Sequence, residues 1–420
     1  MRSIVDIVPR ASRRTALVLA RNLAVSALPL ALLIGGAAHG QGVTGTIKLG
    51  VLSDFSSVYS AAAGKGLVIA TKMAGEDFLK ENPNAGFKVE VVSADFGGKP
   101  DIGSAVARRW FDNEGVDAIL DIPNSAIAFA VSEVTRQANK ALLLSGAGSN
   151  RLTGDLCSPN TVQWTYDSYS YANVAGKALT KAGNDTWFFI TADYAFGKDL
   201  QEQATTIITQ AGGKVLGAVL NPIGTPDFSA SLVQAKNSGA KVVGLAVAGG
   251  DVVTVVKQAA EFNIKQTIAT LNLGIAEVNG IGLDTAKGLL LTEPFYWDLN
   301  DETRAWTKRF LANGAPSYPG LHHAGVYAAT LHYLRAVAAA KTRDGAKVVA
   351  QMKAMPTHDP LFGNGSVRAD GRVLHNMYMY QVKTPAESKY PWDYYKLLAT
   401  VPADQAFRPM SEGNCPLVKK

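Results

Sequence analysis

Apolar positions in this chain fall into short runs, separated by longer stretches in which they recur every three or four residues. Ile47 to Leu52 is the first run, and the stretch after it places Leu67, Ala70, Ala74 and Phe78 on one helical face. Val89 to Ser93 reads as a second strand, followed by a helix near Ile102 to Phe111. Ala118 to Ile122 and Ala141 to Leu144 bracket a helix through Ala128 to Thr135. The pattern then restarts. Thr186 to Ile190, Lys214 to Leu220, Lys241 to Ala248 and Thr267 to Leu271 read as strands, joined by helices near Ala195 to Gln210, Phe228 to Ser238 and Val252 to Phe262. Largely apolar strands alternating with amphipathic helices predict parallel sheets covered on both faces. The expected class is therefore α/β, with two doubly wound parallel-sheet lobes.

The C-terminal third does not start a third lobe. Gly288 to Thr292 adds a strand, Glu302 to Leu311 a helix, and Gly320 to Ala340 a long helix with Val326, Ala329, Tyr333 and Val337 aligned. Met377 to Val382 and Tyr394 to Thr400 alternate like antiparallel edge strands, with Asp370-Gly371 as a turn before the first. The economical arrangement returns this segment to the existing sheets. Residues 45–164 and 293–358 then form lobe 1, residues 165–292 and 359–405 form lobe 2, and 406–420 is a tail.

Composition sharpens this picture at the N-terminus. With 47% hydrophobic and 18% charged residues the 420-residue chain can bury a large core, so it is not a disordered one. Arg2, Arg10, Arg13, Arg14 and Arg21 against Asp6 give residues 1–40 a charge of +4, leaving +2 of the formal +6 for the rest. That near-neutral remainder removes the electrostatic argument for a nucleic acid partner. The same 40 residues read as a cleaved signal peptide: an Arg-bearing leader, an apolar run from Leu23 to Ile34, and an Ala38-x-Gly40 cleavage site. The run falls short of the roughly 20 residues needed to span a bilayer. Arg13-Arg14 leaves both the Sec and the twin-arginine route open. Export makes a disulfide between Cys157 and Cys415 the simplest state of the two cysteines, tying the 406–420 tail to the body; two separate buried thiols are the alternative.

Catalytic and cofactor signatures are missing. Gly146-Ala147-Gly148-Ser149-Asn150-Arg151 imitates a dinucleotide-binding turn but carries Arg151 where a third glycine is needed. There is no GxxxxGK[ST], HExxH or GxSxG, and His322, His323 and His332 offer no convergent ligand set and read as structural or surface residues. The expectation is a protein that is not an enzyme and holds no cofactor or metal. What the chain offers instead is loops after parallel strands, where open α/β sheets bind ligands. Ser53 to Tyr59, Asn124-Ser125, Ser145 to Asn150, Tyr166 to Tyr169, Ala192 to Gly197, Gly249 to Asp251 and Asn272 are rich in hydroxyls, small residues and aromatics. Hydroxyls and free N–H groups at helix starts suit a carboxylate, and aromatic rings can wall in an apolar body. As plain structure, Ser, Asn and Asp at these places are N-caps.

At these loops the sequence resembles the type I periplasmic solute-binding proteins of ABC transporters, in the branched-chain amino acid (leucine/isoleucine/valine-binding) group, from Thr46 to about Val418. Ile47-Lys48-Leu49-Gly50-Val51-Leu52 with Tyr59 is similar to the family's opening strand and first ligand loop, and Ser145-Gly146-Ala147-Gly148-Ser149 to its carboxylate-gripping loop. Asp193-Tyr194-Ala195-Phe196-Gly197 resembles the Asp-x-x-Tyr-Gly pattern of the second lobe, with Phe196 in place of Tyr, and Tyr327-Ala328-Ala329 a Tyr-Asp-Ala helix segment. Cys157-Ser158-Pro159 and Asn414-Cys415-Pro416 look like a narrower branch, and some of the group take aromatic acids. The resemblance implies a multi-crossing hinge and closure of two lobes around a small carboxylate-bearing solute, an amino acid or an aromatic acid. It implies a periplasmic monomer that meets the membrane only through ABC permease subunits. Ser145, Ala147 and Ser149 would hold the carboxylate, with Asn124 and Ser125 beside them; Tyr59, Tyr166, Tyr194 and Phe196 would line the body of the site. Asp193 or Asp251 would read a polar or cationic substituent near Asn272, with Glu277 a further acidic candidate. A periplasmic sensor for amides or related molecules is the runner-up.

Overall fold

The computed structural model describes residues 42–419, so the expected signal peptide at 1–40 lies outside the described residues. Strands β1 (Gly45–Ser53), β2 (Phe87–Asp95), β3 (Ala118–Asp121), β4 (Ala141–Leu144) and β5 (Thr161–Gln163) form an all-parallel sheet in the order β2-β1-β3-β4-β5. Side chains alternate between its faces, as the two-residue strand period requires. Ile47, Leu49, Val51, Leu120 and Leu143 face helices Gly66–Glu81 and Leu321–Ala340 in one core. Leu52, Ile119, Leu142 and Leu144 face helices Pro100–Asn113 and Ser125–Gln137 in another. Gly50 is the exception on β1: a Cβ there would stand 2.4 Å from the Trp110 ring, so the bare backbone is what lets the indole pack against the strand.

The second sheet is parallel in the order β7-β6-β8-β9, from β6 (Thr186–Ala192), β7 (Lys214–Asn221), β8 (Val242–Ala246) and β9 (Thr267–Thr270). Phe188 and Ile190 point to one face and Trp187 and Phe189 to the other, each covered by helices. Beyond β9 lies β10 (Leu290–Glu293), tied to it by the Thr270 hydroxyl on the Leu290 carbonyl at 2.9 Å. A small antiparallel sheet, β11 (Pro356–Asp359), β12 (Gly363–Val367) and β13 (Val373–Leu374), precedes β14 (Met377–Val382) and β15 (Tyr395–Val401). The last two pair antiparallel in the order β10-β14-β15, as their alternation predicts. The pattern missed β5, which has three residues, and the small sheet, whose strands are too short to show a period. It also missed the helical stretch from Ser168 to Lys181, whose regular spacing is broken by a π-turn at Ala172–Gly176. No helix among the described residues is long and apolar enough to cross a membrane.

The chain passes between the two sheets at Trp164–Asp167, again after Glu293 toward helix Asp301–Ala312, and again between β13 and β14. The first and last passages run side by side. Gln163 bridges to Arg372, the Gln163 amide donates to the Gly371 carbonyl at 2.9 Å, and His375 Nε2 donates to the Trp164 carbonyl at 2.8 Å. The fully buried Arg372 donates to the Tyr166 carbonyl at 2.8 Å and to the Val373 carbonyl at 3.0 Å. Cys157 and Cys415 are disulfide-bonded with Cα atoms 5.6 Å apart, and Arg408 Nη2 bonds the Asn150 carbonyl at 3.2 Å, so the tail is tied beside the same passages. Replacing Cys415 by Ser is expected to lower the unfolding free energy in urea by about 2 to 5 kcal/mol, and dithiothreitol should bring the wild type to the same value. Equal midpoints with and without the bond would show that the tail adds no stability.

Candidate functional site

Loops after β1, β8 and β9 converge with Tyr166 and the first turn of helix Leu321–Ala340 around a small cavity. Tyr59, Tyr166 and Tyr318 supply its aromatic walls, and Asn272, Glu277, His322 and His323 its polar groups. Tyr59 is presented by a turn folded around buried Asp54, whose carboxylate accepts from the amides of Ser56, Ser57 and Tyr59 at 3.1, 2.6 and 3.1 Å. Two direct bonds close the cavity from opposite sheets: the Gly250 amide donates to the Val58 carbonyl at 2.9 Å, and the Tyr59 hydroxyl to that of Tyr194 at 2.6 Å. Gly249 makes that approach possible. It sits at φ +61°, and a Cβ on it would stand 2.5 Å from the Val58 carbonyl oxygen.

One acid, Glu277, lines the cavity, and a second, Glu293, lies behind the lining residue Gly274. Glu277 Oε2 and Glu293 Oε1 lie 2.7 and 3.2 Å from the place a Cβ on Gly274 would occupy. Glu293 is 1% exposed and its Oε1 has no hydrogen-bond partner among the described residues. Burial pushes the Glu293 carboxyl well above the usual range, and the charge of Glu277 adds to this. Burial also pushes Glu277 up, against its own and Gly274's amides and the nearby His322. The histidines are held by neighbours. Buried Asp121 accepts from Ser53 Oγ at 2.6 Å, Ser145 Oγ at 2.8 Å and His322 Nδ1 at 3.2 Å. His323 Nε2 donates to the Ala63 carbonyl at 2.9 Å while its Nδ1 accepts from the Gly320 amide at 3.1 Å, a pairing that fits only the neutral ring. Burial accordingly pushes His323 down to about 4.

Of the residues singled out in the sequence, Tyr59, Tyr166 and Asn272 line this cavity. Tyr194 holds Tyr59, and Phe196 packs edge-on against Tyr166 with ring centroids 6.0 Å apart. The others sit a layer behind. Tyr166 bonds the Gly146 carbonyl at 2.7 Å and lies, with Phe196, directly over Gly148. Beneath them Ser149 Oγ, the Asn150 amide and Ser168 Oγ all donate to one oxygen of Asp199, at 2.9, 2.6 and 2.6 Å. Ser125 Oγ accepts from the Ser149 amide at 3.1 Å, the Ala147 carbonyl accepts from Gln163 Nε2 at 2.9 Å, and Asn124 caps helix Ser125–Gln137. Asp193 pairs with Lys198 at 2.6 Å on the half-exposed surface. Asp251 accepts from the Gly224 amide at 3.0 Å, and its carboxyl is pushed up to about 6 by burial.

Sequence reasoning missed Glu293 and Tyr318, and it read His322 and His323 as structural or surface residues. Both histidines are buried, as that reading allows, but they also face the cavity because helix Leu321–Ala340 starts at its wall. The available signal was their place just after Gly320 at the start of a predicted long helix; what placed them here is the return of the chain to the first sheet. No group of three or more His, Cys, Asp or Glu among the described residues could hold a metal ion.

Comparison with known proteins follows the same architecture. A family profile for periplasmic binding proteins matches residues 46–389. A periplasmic binding protein from Burkholderia mallei is 41% identical, covering 89% of this chain and 99% of its own, with a TM-score of 0.86. A branched chain amino acid ABC transporter periplasmic ligand-binding protein from Burkholderia xenovorans is 35% identical, covering 88% and 99%, with a TM-score of 0.78. The Leu/Ile/Val-binding protein homolog 6 of Brucella abortus is 26% identical over 226 residues, 53% of this chain and 55% of that protein, so the chain spans about half the length of that curated relative in the match.

The neutral His323 gives the site a pH signature. Its pKa is about 4 in the fold against about 6.5 unfolded, so the stabilisation is complete above about 6.5 and is lost as the pH falls toward 4. Relative to His323→Gln, the wild type should lose up to about 3 kcal/mol across that window in urea titrations. A difference that does not change with pH would contradict the neutral ring.

Proposed function

The chain belongs to the periplasmic binding protein family, and from that premise we propose that it is the extracytoplasmic solute receptor of an ABC importer. On this reading the leader exports it to the periplasm, the two lobes close on one small solute, and the closed form delivers the solute to a membrane permease. The observation that carries the reading is the cavity itself. Its walls come from loops of both sheets and it is shut by the Val58–Gly250 and Tyr59–Tyr194 bonds, so a solute inside would contact both lobes at once. A ligand that touches both lobes favours the closed state by the free energy of the contacts the open state lacks. The names of the Burkholderia relatives point the same way. The proposed role is binding and release rather than turnover.

Between the two solute classes expected from the sequence, the charge of the cavity favours the one that bears an amino group. Glu277 lies on the wall for an ammonium to pair with, and no lysine or arginine stands among the described residues lining it. A benzoate would bring its carboxylate toward Glu277 with no lysine or arginine on the described wall to receive it. Tyr59, Tyr166 and Asn272 complete the proposed contact set.

Two outcomes check the reading. Thermal unfolding of the mature protein, stripped of carried-over ligand, should respond to amino compounds and not to benzoate or hydroxybenzoates; a ligand at 100 times its Kd adds about 2.7 kcal/mol, at roughly 2 to 4 °C per kcal/mol. A response to the aromatic acids alone would overturn the choice of class. Gly249→Ala puts a Cβ against the Val58 carbonyl and a side chain in the left-handed region. It should cost about 1 kcal/mol in the unliganded protein but lower affinity at least about tenfold in calorimetry. Unchanged affinity would remove the Val58–Gly250 contact from the bound state.

A further inference from the structure

Resting on the receptor reading, we propose that the cavity takes an organic cation without a carboxylate: a small amine whose ammonium lies between Glu277 and Glu293 and whose apolar body lies against Tyr59, Tyr166 and Tyr318.

The first ground is that the groups suited to a ligand carboxylate are already used by the protein's own acids. A carboxylate held by a serine hydroxyl and a backbone N–H is present in the structure, and it is Asp199, bonded by Ser149 Oγ, the Asn150 amide and Ser168 Oγ. Ser145 Oγ is likewise spent on Asp121 at 2.8 Å. Tyr166 and Phe196 then seal this layer: a Cβ on Gly148 would stand 2.3 Å from one ring and 2.7 Å from the other, so no space is left between them and the loop. A solute in the cavity meets the front of that aromatic wall, not the hydroxyls behind it.

The second ground is the unpartnered acid. Glu293 Oε1 is buried, has no hydrogen-bond partner among the described residues, and converges with Glu277 Oε2 on Gly274 at the cavity wall. Two carboxyls this close in a buried site do not both ionise unless a positive charge joins them. Neither histidine on the wall supplies it freely, since His322 is engaged by Asp121 and His323 is fixed between Ala63 and Gly320. An ammonium donates three hydrogen bonds and balances one ionised carboxylate while the other carboxyl keeps its proton, and tyrosine faces favour a cation and its methylene groups. Nothing on the described wall does the same for a carboxylate on the other end of the molecule, apart from the N–H groups at the start of helix Leu321–Ala340.

Matched sets test this directly by calorimetry on the stripped mature protein: isoamylamine, leucine and 4-methylpentanoate, then phenethylamine, phenylalanine and 3-phenylpropanoate. The proposal expects the amine of at least one set to bind about tenfold or more tighter than its amino acid and its acid. Glu277→Gln and Glu293→Gln should each weaken the amine roughly ten- to a hundredfold while leaving the acid unchanged or stronger. An amino acid that binds as tightly as its amine would overturn the proposal and put its carboxylate on the start of helix Leu321–Ala340. An acid that binds tightest would overturn it as well. In both cases the receptor reading survives. Silence from all three classes in both sets would overturn the proposal, and continued silence across the wider amino acid and aromatic acid panels would take the receptor reading with it. The wild-type ranking decides the matter even where a Glu→Gln variant fails to fold.

Discussion

The buried guanidinium of Arg372 is the interaction on which the cleft depends. It is fully buried, lies 4.7 Å from the Phe407 ring centroid and 3.8 Å from Asp167, and bonds the carbonyls of Tyr166 and Val373. Burial pulls its pKa down to about 10, so it stays charged at neutral pH. A charge in that position is costly unless its neighbours are fixed around it, which makes the first and last passages between the sheets a single paired unit. Tyr166 is part of that unit. Its backbone is held by Arg372 while its ring forms the back wall of the cavity, so the geometry of the passage and the shape of the site are set together.

Much of the fold was legible because it depends on local periodicity. β1, β3, β4, β6 and β8 are short apolar strands between amphipathic helices, and β14 and β15 alternate as edge strands do. The disulfide was legible for a different reason: with only two cysteines there is one intramolecular pairing. β5 and β11 to β13 were not, because two to five residues carry no measurable period and their pairing is fixed by partners far along the chain.

The site was legible only in outline. Tyr59, Tyr166 and Asn272 could be found as residues in loops after parallel strands or at a passage between lobes. The fate of Ser149 could not, because it turns on Asp199, fifty residues away on a helix of the second sheet. The same holds for His322, whose partner Asp121 is 201 residues away, and for Glu293, which ends a strand and lies against the bare backbone of Gly274 behind the cavity wall. Serines that read as ligand groups are thus bound by the protein's own carboxylates, and one oxygen of an acid just past a predicted strand has no hydrogen-bond partner among the described residues. Residue type and spacing predict which chemistry is available; the tertiary fold decides which of it has been used.

On the proposed receptor reading, a solute that spans the two lobes favours the closed state seen here over an open one. Small-angle X-ray scattering of the stripped mature protein, with and without the solute that raises its melting temperature most, tests it directly. A smaller radius of gyration is expected when the solute saturates the protein, as the lobes come together on it. Saturating binding with no change in the radius of gyration would contradict it.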